Sequence, residues 1–165
     1  MNVLVAGVGN LFLGDDGFGV EVARRLAVLE LPEGVVAVDY GIRGLHLAYD
    51  LLEPRDLVLI VDAMRRGDPP GTLTLLEPDL DRGTAAAAPD AHGMDLGSVF
   101  AALQALGGTL PRLLILGCEA AELGEGIGLC PAVAAAVEPA VEMVRDVLRR
   151  EIARGEERRC GGTSG

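Results

Sequence analysis

Short, continuously apolar blocks alternate along this chain with longer blocks in which apolar residues recur every three or four positions. Asn2–Ala6, Gly34–Asp39, Leu57–Asp62 and Leu113–Gly117 are of the first kind. Gly17–Leu29, with Val20, Ala23, Leu26 and Ala27 on one side, is of the second. So is Pro131–Arg150, with Val133, Val137, Val141, Val144 and Leu148. Gly44–Leu52 and Met94–Leu106 read as two further helices. Strands alternating with helices predict an α/β protein with a largely parallel sheet. Leu57–Asp62 is apolar on both faces, as a central strand covered from both sides must be. Thr72–Leu76 follows too closely for a crossover helix and is therefore expected antiparallel, on or near an edge. The expected fold class is a three-layer α/β/α sandwich on a mixed, mostly parallel sheet of about five strands, one of them antiparallel. Pro131 suits the first turn of the last helix, and Pro139 is expected to kink it. Residues 1–150 are read as one domain and residues 151–165 as a flexible tail.

Composition narrows the partners. The chain has 165 residues, half of them hydrophobic but only 3% aromatic, so Val, Leu, Ile and Ala must fill the core. The net charge of −11 repels nucleic acid and anionic lipid, so no nucleic-acid partner is expected. No uncharged run has the length of a membrane helix, so no membrane insertion is expected. Met1-Asn2-Val3 lacks a basic leader, and three cysteines without metal-type spacing suit a reducing compartment. A cytoplasmic location is the expectation.

The candidate chemistry lies where strands end, because ligands of open α/β sheets sit beyond the carboxyl ends of the strands. The first strand runs into Gly7-Val8-Gly9-Asn10 and then Gly14-Asp15-Asp16-Gly17. A dinucleotide fingerprint needs a third glycine three residues after the second, and Phe12 stands there. Two carboxylates at a helix start also repel a pyrophosphate. Asp15 and Asp16 read either as a helix cap with one carboxylate left over or as a ligand-bearing pair. Asp62, at the end of the central strand, either caps the next loop or faces the cleft. His92 precedes a helix start, which disfavours imidazolium and leaves a ligand-ready ring; the bland reading is a solvated loop histidine. His46 has no acidic partner at metal spacing and reads as structural. Cys118 reads as a small core residue rather than a nucleophile. No Gly-x-Ser-x-Gly elbow is present.

The strand–glycine–Asp-Asp-Gly stretch resembles the nickel–iron hydrogenase maturation endopeptidases. Asp39-Tyr40-Gly41-Ile42-Arg43-Gly44, Val61-Asp62-Ala63, Pro69-Pro70-Gly71-Thr72-Leu73, His92-Gly93-Met94, Gly117-Cys118-Glu119 and Gly128-Leu129 follow in the order of that family. The resemblance implies an endopeptidase that removes the C-terminal extension of the hydrogenase large-subunit precursor after nickel insertion. It implies Asp16, Asp62 and His92 as metal ligands, their metal role not separable from a catalytic one. Asp39, at the end of the second strand, reads either as a support for a ligand or as a turn cap. The family often has Glu where this chain has Asp16. The metal so implied is nickel supplied by the precursor, with no tightly held metal or nucleotide on the protease itself.

Two other readings compete. One is a nucleotide-binding α/β enzyme, disfavoured by the missing glycine and by Asp39 lying about 30 residues on instead of the usual ~20. The other is a module that checks the metal of the precursor without cutting it.

Overall fold

The computed structural model describes residues 1–78 and 96–161. Five strands, β1 (Val3–Val8), β2 (Val35–Gly41), β3 (Leu57–Met64), β4 (Leu73–Leu76) and β5 (Arg112–Glu119), form one sheet in the order β2-β1-β3-β5-β4. All neighbouring pairs are parallel except β4 with β5. The antiparallel edge position expected for Thr72–Leu76 is thus realised, and so is the mixed sheet.

β1 and β3 are buried along their whole length. That is why they read as unbroken apolar runs: helices cover both faces. Alternate residues divide between two cores. Leu57, Leu59, Val61 and Ala63 of β3 join Val22 and Leu26 of α1 (Phe18–Ala27) and Val137, Val141 and Val144 of α4 (Pro131–Gly161). Val58 and Ile60 join Leu47 and Leu51, in and just after α2 (Gly44–Asp50), and Phe100 and Leu103 of α3 (Leu96–Ala105). Burial of Val, Leu and Ile at about 25 cal/mol per Å² therefore holds both outer layers to the sheet without help from many aromatics.

Three strands reach further than their apolar runs suggest. β2 continues to Gly41, β3 to Met64 and β5 to Glu119, so Asp39 and Asp62 lie inside their strands rather than at their ends, and Glu119 ends its strand rather than following it. The last helix also runs past Arg150 to Gly161. Its continuation has no apolar stripe, which is why it reads as an irregular tail. Buried Glu151 instead accepts from Arg112 at the start of β5 and, at 3.0 Å, from Arg154 one turn on. Arg112 also binds Glu77 at 2.6 Å, tying the end of β4 to the same cluster. Pro139 lies inside α4, which is continuous through it.

Candidate active site at the carboxyl edge

β1 is flanked by β2 on one side and β3 on the other, and the chain leaves its end in one direction for β2 and crosses over for β3. The sheet therefore has its topological switch point between β1 and β3, where α/β enzymes place their ligands. The glycines of the first motif bring the backbone into this gap. An ideal Cβ on Gly19 would lie 2.1 Å from the Val61 carbonyl oxygen and 2.4 Å from that of Val8. One on Gly7 would lie 2.2 Å from the Gly19 carbonyl oxygen. The glycines thus let α1 settle directly on β1 and β3, and they do not form a phosphate cradle. Gly9, at φ +132°, packs against the Asp16 backbone.

Asp15 and Asp16 occupy one 3₁₀ turn, Gly14–Gly17. Neither caps α1, whose N-cap is Gly17 without a side-chain bond. The two carboxylates have separate tasks. Asp15 is fully buried and accepts N–H bonds from Ala121 (2.8 Å), Glu122 (2.9 Å) and Cys130 (2.7 Å). Burial alone would raise its pKa, but these bonds to the charged form outweigh it and hold the carboxyl below the usual range. Asp16 is 1% exposed, and its Oδ2 accepts the Asn10 N–H at 2.7 Å. Its own loop thus folds back to aim it at the switch point.

Asp62 is buried on β3, opposite Gly117 of β5. By strand alternation it faces the α2/α3 side, as Val58 and Ile60 do. Its Oδ1 accepts the Ala63 N–H at 2.8 Å. Burial first, and then the negative charge of Asp16, push its pKa well above the ordinary carboxylate value. Two carboxylates from separate elements have thus been brought together in a poorly solvated place. A cation shared between them would remove both penalties, and oxygen donors suit a divalent ion. His92, the third expected ligand, lies outside the described residues. Among the described residues no group of three His, Cys, Asp or Glu side chains is placed to hold a metal.

The other candidates sort plainly. Asp39 does not cap a turn: it pairs with Arg24 of α1 at 2.9 Å, on the opposite face of the sheet from Asp62. His46 is exposed on α2. Cys118 is buried in the α1/α4 core, and burial, followed by the charge of Asp15, pushes its thiol up to about 12. That thiol is no nucleophile at neutral pH. Glu119 acquires a task that sequence reasoning missed. It is buried and accepts from the N–H groups of Arg66 (2.9 and 3.0 Å) and Gly67 (3.0 Å), fixing the turn that follows Asp62. The signal for both loop anchors was a carboxylate beside an apolar run, which does not say where its partners lie.

Solved structures with this fold include endopeptidases. The hydrogenase-maturating endopeptidase HybD from Escherichia coli superimposes with a TM-score of 0.76 at 34% identity, covering 92% of this chain and 94% of that one. A hydrogenase 2 maturation peptidase from a Thaumarchaeota archaeon does so with a TM-score of 0.69 at 30% identity, over 90% and 98%. The chain belongs to the hydrogenase maturation protease family, whose model matches residues 20–147. Among curated relatives, the hydrogenase 2 maturation protease of E. coli is 34% identical over 151 residues, 90% of this chain and 92% of that one. The hydrogenase expression/formation protein HupD of Rhodobacter capsulatus is 36% identical over 149 residues, 88% and 70% of the two chains.

Proposed function

We propose that this protease recognises nickel already held by a hydrogenase large-subunit precursor and removes the C-terminal extension of that precursor. The observation that carries this reading is the Asp16–Asp62 pair: two carboxylates, each at most 5% exposed, at the switch point of the sheet. In this reading His92 joins them as the third ligand. Three protein ligands without a thiolate hold a free ion modestly, so the protease carries no tight metal of its own. A nickel centre anchored in the precursor completes its coordination with these side chains, and the scissile bond is thereby positioned. Nickel held by Asp16, Asp62 and His92 would supply a Lewis acid for the scissile carbonyl, with water adding as the C–N bond breaks and a proton passing to the leaving amine. A nucleotide has no place in this reading, because Phe12 stands where a dinucleotide fingerprint needs its third glycine.

Free Cys118 and Cys130 suit a reducing compartment, and the reading places the protein in the cytoplasm with its precursor. No helix among the described residues is long and apolar enough to cross a membrane. The test is to incubate nickel-loaded and nickel-free precursor with the protein and follow intact mass. Loss of a C-terminal peptide from the loaded form alone is expected. Equal cutting of both forms would refute nickel sensing, and no cutting of either would refute the protease reading.

A further inference from the structure

The loop that follows β5 is fastened to the loop that carries Asp16. Gly14 N–H donates to the Gly126 carbonyl (2.9 Å), Gly126 N–H to the Phe12 carbonyl (3.0 Å) and Asp15 N–H to the Glu122 carbonyl (3.0 Å). Leu13 and Gly126 form a parallel bridge. The Asp15 carboxylate adds its three bonds to Ala121, Glu122 and Cys130. Residues 12–16 and 121–130 are therefore one ridge beside Asp16. On it stand Phe12, 67% exposed, and Ile127, 83% exposed. Beside Ile127, a cavity of about 340 Å³ is lined by Leu11, Leu129, Ala134 and Val137, with Glu21 and Arg25 also contributing. Glu122 and Glu125 are exposed on the same loop.

Two large apolar side chains fixed in water gain nothing for folding. Covering each is worth about 1.5–3 kcal/mol. Because the backbone beneath them is already ordered, little conformational entropy remains to be lost on binding. Asp16 itself is almost fully buried, and the loop around it turns Phe12 outward. Phe12 precedes Asp16 on the same loop, and the cavity beside Ile127 lies between α1 and α4, so a segment leaving the site would pass over Phe12 to reach it.

We propose that the Phe12–Ile127 ridge seats the precursor segment next to the scissile bond, with Asp15 as the positioning residue that holds the ridge in place; this rests on the protease reading above. The segment that fits is extended, with an apolar side chain for the cavity beside Ile127 and a basic one facing Glu122 and Glu125.

The test uses nickel-loaded precursor as substrate and compares wild type, Phe12→Ser/Ile127→Asp, Asp15→Asn and the distant control Val28→Asp. Val28 is 84% exposed at the far end of α1. The double variant should raise KM at least about tenfold, the scale expected for loss of an aromatic anchor, with a smaller change in kcat and an unchanged Tm. Val28→Asp should leave KM at the wild-type value. Asp15→Asn should raise KM and speed hydrogen exchange at the Ala121, Glu122 and Cys130 amides. A wild-type KM in the double variant, or an equal rise with Val28→Asp, would overturn the docking role. If Asp15→Asn folds with wild-type KM, its positioning role is overturned; if it does not fold, the double variant still decides the ridge. Should wild type fail to cut the precursor, the protease reading fails, and the affinity of both proteins for nickel-loaded precursor decides the ridge separately. Dimers dissolved by the double variant with unchanged affinity would make the ridge a self-contact and overturn the proposal.

Discussion

A Cβ built on Gly9 stands 1.8 Å from the Asp16 carbonyl oxygen. The contact joins the end of β1 to the turn that presents the carboxylate, and Gly9 holds it at φ +132°. Gly9→Ala meets both the clash and a backbone conformation that L side chains rarely adopt. We predict a loss of at least about 1–3 kcal/mol, the usual scale of such strain. For a domain of this size each kcal/mol lowers Tm by about 2–4 °C. Thermal melts check the stability, and precursor processing should fall with it because Asp16 must move. A variant with wild-type Tm and activity would show that the contact is not needed.

Asp62→Asn should separate stability from function. The folded-state pKa of Asp62 lies above its unfolded value, so the folded protein binds more protons than the unfolded chain between the two. Stability is therefore lost as pH rises from the ordinary carboxylate pKa through the raised one. Asparagine removes the buried charge, so the variant should melt a few degrees higher than wild type near pH 7, on the scale of about 2–4 °C per kcal/mol. The difference should vanish below about pH 4, where both proteins are neutral at this position. Processing should be lost. A variant less stable than wild type at pH 7 would contradict a buried Asp62 beside the like charge of Asp16.

His92→Ala tests the proposed third ligand. Replacing residues that merely support metal ligands costs about 10–100-fold, so a direct ligand should cost at least ~100-fold in processing of nickel-loaded precursor. Rates from intact-mass time courses give the answer. Processing at the wild-type rate would remove His92 from the site.

Cys118→Ala should process the precursor at close to the wild-type rate, and thiol alkylation should not inhibit the wild-type protein. The thiol is buried in the α1/α4 core and is protonated at neutral pH. The cost should be a small packing loss, about 1 kcal/mol, visible in the melt. Abolished activity at unchanged Tm would point to a chemical role for the sulfur.

Most of the fold was legible because each apolar run has one period. Asn2–Ala6 read as a strand and Leu57–Asp62 as one covered on both faces, as β1 and β3 are, and the short link before Leu73 forced an antiparallel return. Strand ends were less legible. β3 and β5 continue past their apolar runs because backbone pairing proceeds through Asp62–Gly117 and Met64–Glu119 whatever the side chains. The last helix outran its apolar stripe because a buried Glu151 with two arginine partners replaces hydrophobic contact there. Asp16 and Asp62 were visible as polar residues beside apolar strands. The division of labour between Asp15 and Asp16 was not, since the donors to Asp15 lie 106 to 115 residues away.

The alternation that turns Asp62 toward α2 and α3 also determines where the chain tolerates insertions and deletions. Between Leu57 and Asp62, one residue added or removed would carry the carboxylate to the α1/α4 side, into the company of Val61 and Leu116. It would then face an apolar core and not Asp16. A two-residue change would restore the face but shift Asp62 along β5, away from Gly117. The turns at the opposite edge, such as the one around Gly34, escape this constraint because β1 and β3 re-establish their pairing after them. Length variation in related chains should therefore gather in those turns and spare the stretch from Leu57 to Asp62.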